Sequence, residues 1–329
     1  MSDAKFAILG AGAIGSILGA HLARAGHSVV MLARERRALQ IDSDGLRITG
    51  LVELSTAVPT LRDASGLRRA EVLIVAMKTP ATAQALENLR HAEIGAAFSI
   101  QNGPAKDELL AQALGKERVL GALANTSGEM LSSGEVVFTR NVNIFVGELS
   151  GELSSRARHI AATIDAAGVR ATAVPNILSL EWSKFCAWAG LMVLSVTTRA
   201  HTWKYLTHPG SALVLTRLVR EIGVLAGALG VELTDESVLP VATLCRSSEQ
   251  EAVDAVMRVG REFMSNAPQH RMSSLQDLEA GRPLEIEETL GYSLRKATQL
   301  ELTLPLLDSF YNLVAAIDRT RREPEQGNF

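Results

Sequence analysis

The feature that most constrains the fold is a glycine-rich motif near the start of the chain. Residues 10–15 have the form G-x-G-x-x-G, directly after the apolar run Phe6–Leu9 and before a helix-periodic segment. Gly10 permits a tight turn, Gly12 lets the backbone approach a pyrophosphate, and Gly15 lets helix and strand pack closely. Because a second predicted strand follows, dinucleotide binding is favoured over a mere glycine-rich turn. The predicted cofactor-binding residues of this motif are Gly10, Gly12, Ala13, Ile14 and Gly15.

The first half of the chain alternates short apolar runs with helix-periodic segments. This pattern is typical of strand–helix–strand units that build a parallel sheet. The predicted strands are Phe6–Leu9, Ser28–Leu32, Val72–Met77, Ala97–Ile100 and Val119–Ala122, with a late strand pair at Gly134–Thr139 and Val142–Val146. The predicted helices are Ser16–Ala25, Ala81–Leu89 and Leu153–Ala167. Val72–Met77 lacks polar alternation, which indicates a strand that is covered on both faces.

The pattern changes after Pro175, where strands disappear and long amphipathic helices follow. The predicted helices are Ile177–Val196, Ser211–Leu229, Gln250–Met264, Glu285–Leu300 and Pro305–Arg319. The fold class is therefore predicted as α/β, with an N-terminal Rossmann-type parallel-sheet domain and an all-α C-terminal domain. The predicted ranges are 1–174 for the nucleotide-binding domain, 175–322 for the helical substrate domain and 323–329 for a frayed tail.

Composition excludes several classes of protein. With 33 Lys and Arg against 36 Asp and Glu, the net charge is -3, so neither nucleic acid nor a membrane surface is expected as a partner. The two cysteines are too few for a disulfide framework. No signal peptide is expected before Phe6, and the apolar stretch Cys186–Val196 is shorter than the roughly 18–20 residues that span a bilayer. A cytoplasmic protein is predicted.

The end of the second predicted strand indicates which dinucleotide is bound. NAD sites usually place a carboxylate there, on the ribose 2′-OH, whereas here Arg34 occupies the position, with Arg36 and Arg37 close behind. A guanidinium pairs bidentately with a 2′-phosphate, so NADP(H) is the predicted cofactor. The alternative is a small register shift that brings Glu35 to the ribose.

Two further strand ends carry candidate site residues. Lys78 follows the strand Val72–Met77, at the sheet edge where such folds bind ligands; a solvated surface lysine is the alternative. Asn102 follows the strand Ala97–Ile100 as part of an Asn-Gly pair. This amide either bridges nicotinamide ribose and substrate or belongs to an ordinary turn.

The second half adds two more motifs, EWSKF at residues 181–185 and SSLQDLEAGRPLEI at residues 273–286. Combined with the glycine motif, Arg34, Lys78 and Asn102, they resemble the ketopantoate reductase (2-dehydropantoate 2-reductase) family. The resemblance extends from about Lys5 to Ile317. It implies that NADPH and a branched 2-oxo acid meet between a Rossmann domain and a helical domain. The implied reaction is reduction of ketopantoate to pantoate, in pantothenate and coenzyme A biosynthesis.

The resemblance also implies roles for individual residues. Lys184 would be the general acid that protonates the carbonyl oxygen, and Glu285 the carboxylate that holds this lysine or a substrate hydroxyl. Ser273 and Asn102 would contact the substrate, and Arg34 and Lys78 the 2′-phosphate side of the cofactor. A snorkelling lysine and a surface glutamate are the alternatives for the first pair.

The chain departs from the family pattern on the lysine helix. The family usually carries asparagines one and two turns after the lysine, on the same helix face, but this chain has Trp188 and Met192 there. We predict that both line a more apolar substrate pocket, so that the best substrate of the enzyme need not be ketopantoate. A more apolar or aromatic 2-oxo acid is the predicted substrate. The alternative is that Ser195 or Thr197 supplies the polar contact.

Two other interpretations of the function stand beside the reductase. One is a D-2-hydroxy acid dehydrogenase of the same lineage, and another is a non-enzymatic NADP-binding regulator. A homodimer is compatible with the sequence, because an apolar helix face serves equally as core or as subunit contact. No metal is expected, since His201 and His208 match no ligand spacing, and Cys186 is predicted to be an inert buried thiol.

Overall fold

The computed structural model describes residues 2–322. They form two compact units that divide between Leu178 and Ser179, just after the predicted division at residue 174. The predicted tail, residues 323–329, lies outside the described residues. The predicted fold class is confirmed, because sheets and helices alternate in the first unit and helices alone make up the second.

The first unit contains ten strands and five α-helices among the described residues. The strands are β1 (Ser2–Leu9), β2 (Val29–Leu32), β3 (Leu46–Gly50), β4 (Leu54–Thr56), β5 (Thr60–Leu61), β6 (Leu67–Val75), β7 (Glu93–Ser99), β8 (Leu120–Met130), β9 (Val136–Glu148) and β10 (Ala171–Ala173). The helices are α1 (Ala13–Arg24), α2 (Glu35–Asp44), α3 (Thr82–Glu87), α4 (Ala105–Leu114) and α5 (Ser155–Ala166).

A five-stranded sheet in the order β5-β2-β1-β6-β7 forms the centre of this unit, and all its neighbouring strands are parallel. Its faces pack against two separate apolar clusters: Phe6 and Ile8 of β1 belong to one, and Ala7 and Leu9 to the other. The same division holds for Val72–Val75 of β6. This confirms that the uninterrupted apolar run is a strand covered on both faces.

The register of this sheet places several candidate residues at one edge. Leu9 is level with Leu32 of β2 and Val75 of β6, and Val75 is level with Ser99 of β7. Because parallel strands end at the same edge, the loops that follow β1, β2, β6 and β7 emerge side by side. These loops carry the glycine motif, Arg34, Lys78 and Asn102.

A second sheet corrects one prediction. It has the order β10-β9-β3-β4, with β8 antiparallel to β9. The predicted strand pair Gly134–Thr139 and Val142–Val146 is wrong, because both segments belong to the single strand β9. The polar residues Arg140 and Asn141 do not end the strand; they pair with β8 beside an irregularity that shifts the register. An antiparallel strand tolerates polar residues where one face meets solvent.

The second unit is helical. Its elements are α6 (Ile177–Thr198), α7 (Thr202–Leu206), α8 (Pro209–Ala228), α9 (Val241–Arg246), α10 (Glu249–Asn266), α11 (Ser273–Glu279), a π-helical turn (Glu287–Gly291), α12 (Tyr292–Gln299) and α13 (Pro305–Arg322). All five predicted helices are present, although the one expected from Glu285 begins with the π-helical turn.

Helix α6 is the longest helix of the described chain. By length and composition it is apolar enough to cross a membrane, and it extends well beyond the apolar stretch Cys186–Val196. However, 78% of its most apolar window is buried. Such burial is typical of the core helix of a soluble protein.

Candidate functional site

The turn between β1 and α1 requires glycine at two positions. Gly10 has a φ of 112°, and a Cβ atom there would lie 2.7 Å from the backbone nitrogen of Met77. A Cβ atom on Gly15 would lie 2.0 Å from the carbonyl oxygen of Gly10. Both glycines are therefore needed for the protein's own packing of strand, turn and helix.

Gly12 differs from these two glycines. A Cβ atom there would come no closer than 3.8 Å to the protein beyond its chain neighbours, at the carbonyl oxygen of Ala76. Gly12 is also the N-cap of α1, so it has no side chain to occupy the first-turn N–H groups, which begin at the half-buried Ala13 and Ile14. Open space before an uncapped helix N-terminus fits a pyrophosphate.

Two alanine substitutions separate these roles. Gly12→Ala is expected to change the free energy of unfolding by less than about 1 kcal/mol, yet to abolish most dinucleotide affinity. Gly15→Ala is expected to destabilise the fold by about 1–3 kcal/mol, because the new Cβ overlaps backbone. Chemical denaturation with cofactor titration checks the pair. A Gly12→Ala variant that binds cofactor normally would contradict this assignment.

Arg34 lies where β2 ends and α2 begins. It is the N-cap of α2 and exposed, and β2 itself is tied to the glycine turn through the Gly10 N–H, which donates to the Leu32 carbonyl oxygen at 3.0 Å. Glu35, the alternative ribose ligand, is the first residue of α2, and its carboxylate pairs with Arg62 at 3.5 Å. Arg34 therefore directly follows the end of β2, whereas the carboxylate of Glu35 is paired with another side chain.

A side chain that the sequence did not single out joins the next two loops. The Gln101 amide nitrogen donates to the Met77 carbonyl oxygen at 2.8 Å and to the Thr82 hydroxyl at 2.6 Å. Gln101 also accepts a hydrogen bond from Ser99 at 2.9 Å. These bonds tie the loop that carries the exposed Lys78 to the half-buried Asn102 beside Gln101.

In the second unit, the part of α6 that carries Lys184 also carries three aromatic residues, Trp182, Phe185 and Trp188. Phe185 packs edge-to-face on Trp182 at 5.9 Å between ring centroids and stacks on Trp188 at 6.4 Å. Lys184 and Trp188 are half-buried, whereas Met192 is 1% exposed. Because i, i+4 and i+8 share a helix face, the lysine lies on the same face as an indole and a thioether.

The two alternative polar residues of α6 are engaged within the unit. The fully buried Ser195 hydroxyl donates to the Met192 carbonyl oxygen at 3.2 Å and lies 3.5 Å from the Ser274 hydroxyl. The Thr197 hydroxyl donates to the Val193 carbonyl oxygen at 2.8 Å. The Ser195 contact also joins α6 to α11, which begins at the exposed Ser273.

Glu285 lies in the segment that leads into the π-helical turn, and it is half-buried. The buried carboxylate of Asp318 accepts from the N–H of the preceding residue, Leu284, at 3.3 Å. The Thr289 hydroxyl donates to the Glu285 carbonyl oxygen. Both neighbouring contacts fix the backbone that carries this carboxylate, and π-helical turns are frequent at functional sites.

Two further residues of α6 have structural roles. Ser183, fully buried, accepts a hydrogen bond from the Thr234 N–H at 2.8 Å and so anchors the loop after α8 beside Lys184. Ser183 is part of the EWSKF motif, but nothing in the sequence indicated this bond. Burial raises the pKa of the Cys186 thiol well above its ordinary value, in agreement with an inert thiol.

Each unit thus supplies one kind of chemistry. The first offers an uncapped helix N-terminus beside open space, with cationic and amide side chains in the loops at one sheet edge. The second offers a half-buried lysine and a half-buried glutamate. A cation that donates a proton to a carbonyl oxygen also stabilises the negative charge that develops there.

Comparison with known proteins assigns both units. The family model described as Ketopantoate reductase PanE/ApbA matches residues 6–151, and the model described as Ketopantoate reductase PanE/ApbA C terminal matches residues 176–318. The chain is 27% identical over 311 residues to a 2-dehydropantoate 2-reductase of Archaeoglobus fulgidus, covering 94% of this chain and 97% of that protein.

Two solved structures share the fold. A PanE/ApbA family ketopantoate reductase from Ralstonia eutropha superposes with a TM-score of 0.82 at 25% identity, over 98% of this chain and 100% of the other. D-mandelate dehydrogenase with NADH and anilino(oxo)acetate gives a TM-score of 0.82 at 17% identity, with the same coverage. The second likeness concerns the fold alone.

Proposed function

The chain belongs to the ketopantoate reductase PanE/ApbA family, as its motifs predicted, and from this premise we propose that it reduces a 2-oxo acid to a 2-hydroxy acid with NADPH. The observation that carries the proposal is Lys184, half-buried on α6 in the second unit. The family models that match this chain cover both this lysine and the glycine motif of the first unit. The proposed location is the cytoplasm.

The first unit holds the cofactor in this proposal. Gly12 and the first turn of α1 bind the pyrophosphate, because backbone N–H groups there face an open space. Arg34 and Lys78 pair with the 2′-phosphate, and Asn102 contacts the nicotinamide ribose and the substrate. The Gln101 bonds keep the loops of Lys78 and Asn102 in one arrangement before the ligand arrives.

The second unit supplies the proton. A bound NADPH, held by the residues of the first unit, would supply the hydride for the carbonyl carbon. Lys184 donates a proton from Nζ to the carbonyl oxygen as that oxygen becomes an alkoxide. Glu285 holds the ammonium group or a substrate hydroxyl, and the Ser273 hydroxyl contacts the substrate. The bonds of Asp318 and Thr289 keep the Glu285 backbone in place during the reaction.

The substrate we propose is a more apolar 2-oxo acid than ketopantoate. Trp188, half-buried and stacked on Phe185, presents an indole on the Lys184 face, and Met192, which is buried, lies one turn further along the same face. Neither side chain replaces the hydrogen bonds of two amides, and an apolar wall favours an apolar or aromatic group. In the D-mandelate dehydrogenase structure the same fold holds anilino(oxo)acetate, an aryl-substituted oxo acid.

The test is oxidation of NADPH and of NADH, followed at 340 nm, with ketopantoate and a panel of aliphatic and aromatic 2-oxo acids. We expect turnover with NADPH and a higher kcat/KM for an apolar or aromatic 2-oxo acid than for ketopantoate. The corresponding 2-hydroxy acids with NADP⁺ cover a dehydrogenase that works in the oxidative direction. Tight NADPH binding without turnover on any compound would favour a non-enzymatic regulator.

Restoring the amides tests the pocket. Trp188→Asn, and Trp188→Asn with Met192→Asn, should raise kcat/KM for ketopantoate by about tenfold. This factor corresponds to the free energy of roughly one well-placed hydrogen bond. Trp203→Asn is the matched control, because Trp203 is a half-buried tryptophan on α7, and it should leave the preference between substrates unchanged. If the ratio of kcat/KM values stays constant in the Trp188 variants, this residue does not line the pocket.

A further inference from the structure

Arg37 contacts the glycine motif from the protein side. This residue lies on the first turn of α2 and is half-buried. Its Nε donates to the Ala11 carbonyl oxygen at 3.2 Å, and its Nη2 donates to the Ser16 hydroxyl at 3.0 Å. Ala11 belongs to the glycine motif, and Ser16 lies in the first two turns of α1. One guanidinium therefore holds both the motif and the helix that it opens.

The remaining bonds of Arg37 reach a third element. Its Nη1 donates to the Gly134 carbonyl oxygen at 2.8 Å and to the Gln40 side-chain oxygen at 2.9 Å. Gly134, with a φ of 84°, lies in the turn between β8 and β9. Gln40 in turn donates to the Ser133 carbonyl oxygen of the same turn. The guanidinium thus binds the glycine motif, α2 and the β8–β9 turn at once.

The bond to Ala11 has a consequence for the ligand side of the motif. The peptide group between Ala11 and Gly12 is planar and trans, so its C=O and N–H point in opposite directions. Fixing the Ala11 carbonyl oxygen toward Arg37 therefore directs the Gly12 N–H away from it. Gly12 is the position where the protein leaves open space. The Ser16 hydroxyl, which Arg37 itself holds, donates to the same Ala11 oxygen at 3.3 Å. Arg37 therefore helps to orient an N–H group that would face the pyrophosphate.

We infer that Arg37 is a positioning residue for the pyrophosphate-binding turn and does not bind the 2′-phosphate of the cofactor. Arg34 and Arg36, the other two arginines of this segment, are exposed, whereas Arg37 directs its donors into the protein. The three arginines that together suggested NADP(H) thus divide into two roles. This inference rests on the proposed cofactor site and adds a residue to it.

The two roles predict different cofactor preferences. If Arg37 orients the Gly12 N–H, Arg37→Ala weakens NADPH and NADH by the same factor, about tenfold, because both contain the pyrophosphate. If Arg37 binds the 2′-phosphate, only NADPH is weakened. Dissociation constants of both dinucleotides from titration calorimetry distinguish the two. Arg37→Lys should behave like Arg37→Ala, because a lysine ammonium lacks the fork that reaches several acceptors.

Matched variants separate positioning from a general loss of structure. Gln40→Ala removes a partner of Arg37 that does not touch the glycine motif, so cofactor affinity should stay within about twofold of wild type. In steady-state kinetics, Arg37→Ala and Arg37→Lys should both raise the KM for NADPH by a larger factor than they lower kcat. A larger loss for NADPH than for NADH, or unchanged affinity for both, would overturn the inference. Absence of dinucleotide binding by the wild-type chain would instead refute the proposed function.

Discussion

Replacing Lys184 by alanine is expected to lower kcat by about 10²–10⁴-fold with the best 2-oxo acid, the usual contribution of a general acid. The expected loss is large because the alkoxide then forms without a proton donor and without a neighbouring cation. The dissociation constant for NADPH should remain close to the wild-type value, because the cofactor is assigned to residues of the first unit. Steady-state kinetics and cofactor titration on the same preparation measure both quantities.

Two control variants define what the lysine contributes. Lys184→Arg keeps the positive charge but holds its proton too tightly to be an effective acid, so it should recover only part of the lost rate. Lys204→Ala removes an exposed lysine on α7, whose ammonium lies 5.7 Å from the Trp203 ring centroid, and should leave kcat unchanged. A near-normal kcat for Lys184→Ala would remove this residue as the general acid.

Arg34→Ala is expected to weaken NADPH binding by about 10–100-fold, since hydrogen bonds to charged groups contribute roughly 1.5–3 kcal/mol each. NADH, which has no 2′-phosphate, should bind almost as it does to the wild-type chain. The exposed position of Arg34 at the start of α2 leaves its guanidinium accessible to a ligand. The ratio of the two dissociation constants is the quantity to measure.

Glu35→Gln tests the alternative that Glu35 binds the ribose. The Glu35 carboxylate pairs with Arg62 on the surface, so its neutralisation should leave NADH affinity unchanged. Weaker NADH binding by Glu35→Gln would place this carboxylate on the ribose. Equal losses of NADPH and NADH affinity in Arg34→Ala would remove the 2′-phosphate assignment of Arg34.

The parallel sheet was predictable because its strands are buried on both faces. Runs such as Val72–Val75 contain only apolar residues, which is typical of short strands that are covered on both faces. The sheet edge followed from the same reasoning, since parallel strands end together. Arg34, Lys78 and Asn102 were therefore recognisable as candidate residues before any pairing was known.

The second sheet was less predictable, because its strands depend on their partners. The short strands β3, β4 and β10 carry little apolar signal of their own and are completed by pairing with β9 or with each other. The sequence predicted two strands in place of β9, because Arg140 and Asn141 interrupt its apolar pattern. Their side chains face outward in part, so pairing with β8 continues past them.

Within the candidate site, residues to which we assign chemical roles carry a sequence signal, whereas the residues that hold the site in place do not. Lys184 and Glu285 belong to motifs with adjacent sequence, whereas the bonds of Arg37 connect it to residues as distant in sequence as Gly134. Gln101 and Ser183 likewise act through loops elsewhere in the chain. Such bonds depend on tertiary structure, and a single sequence carries no signal for them.

The reaction that we propose is the reduction of the carbonyl carbon of a 2-oxo acid by NADPH. Its most direct test is incubation with NADPH carrying deuterium at nicotinamide C4, together with the best 2-oxo acid, followed by mass spectrometry of the product. The incubation is carried out twice, with deuterium at one or the other of the two C4 positions. We expect one of the two labels to give a 2-hydroxy acid with a single deuterium at C2. NADPH oxidation that yields no deuterated 2-hydroxy acid from either label would contradict direct hydride transfer to the 2-oxo acid.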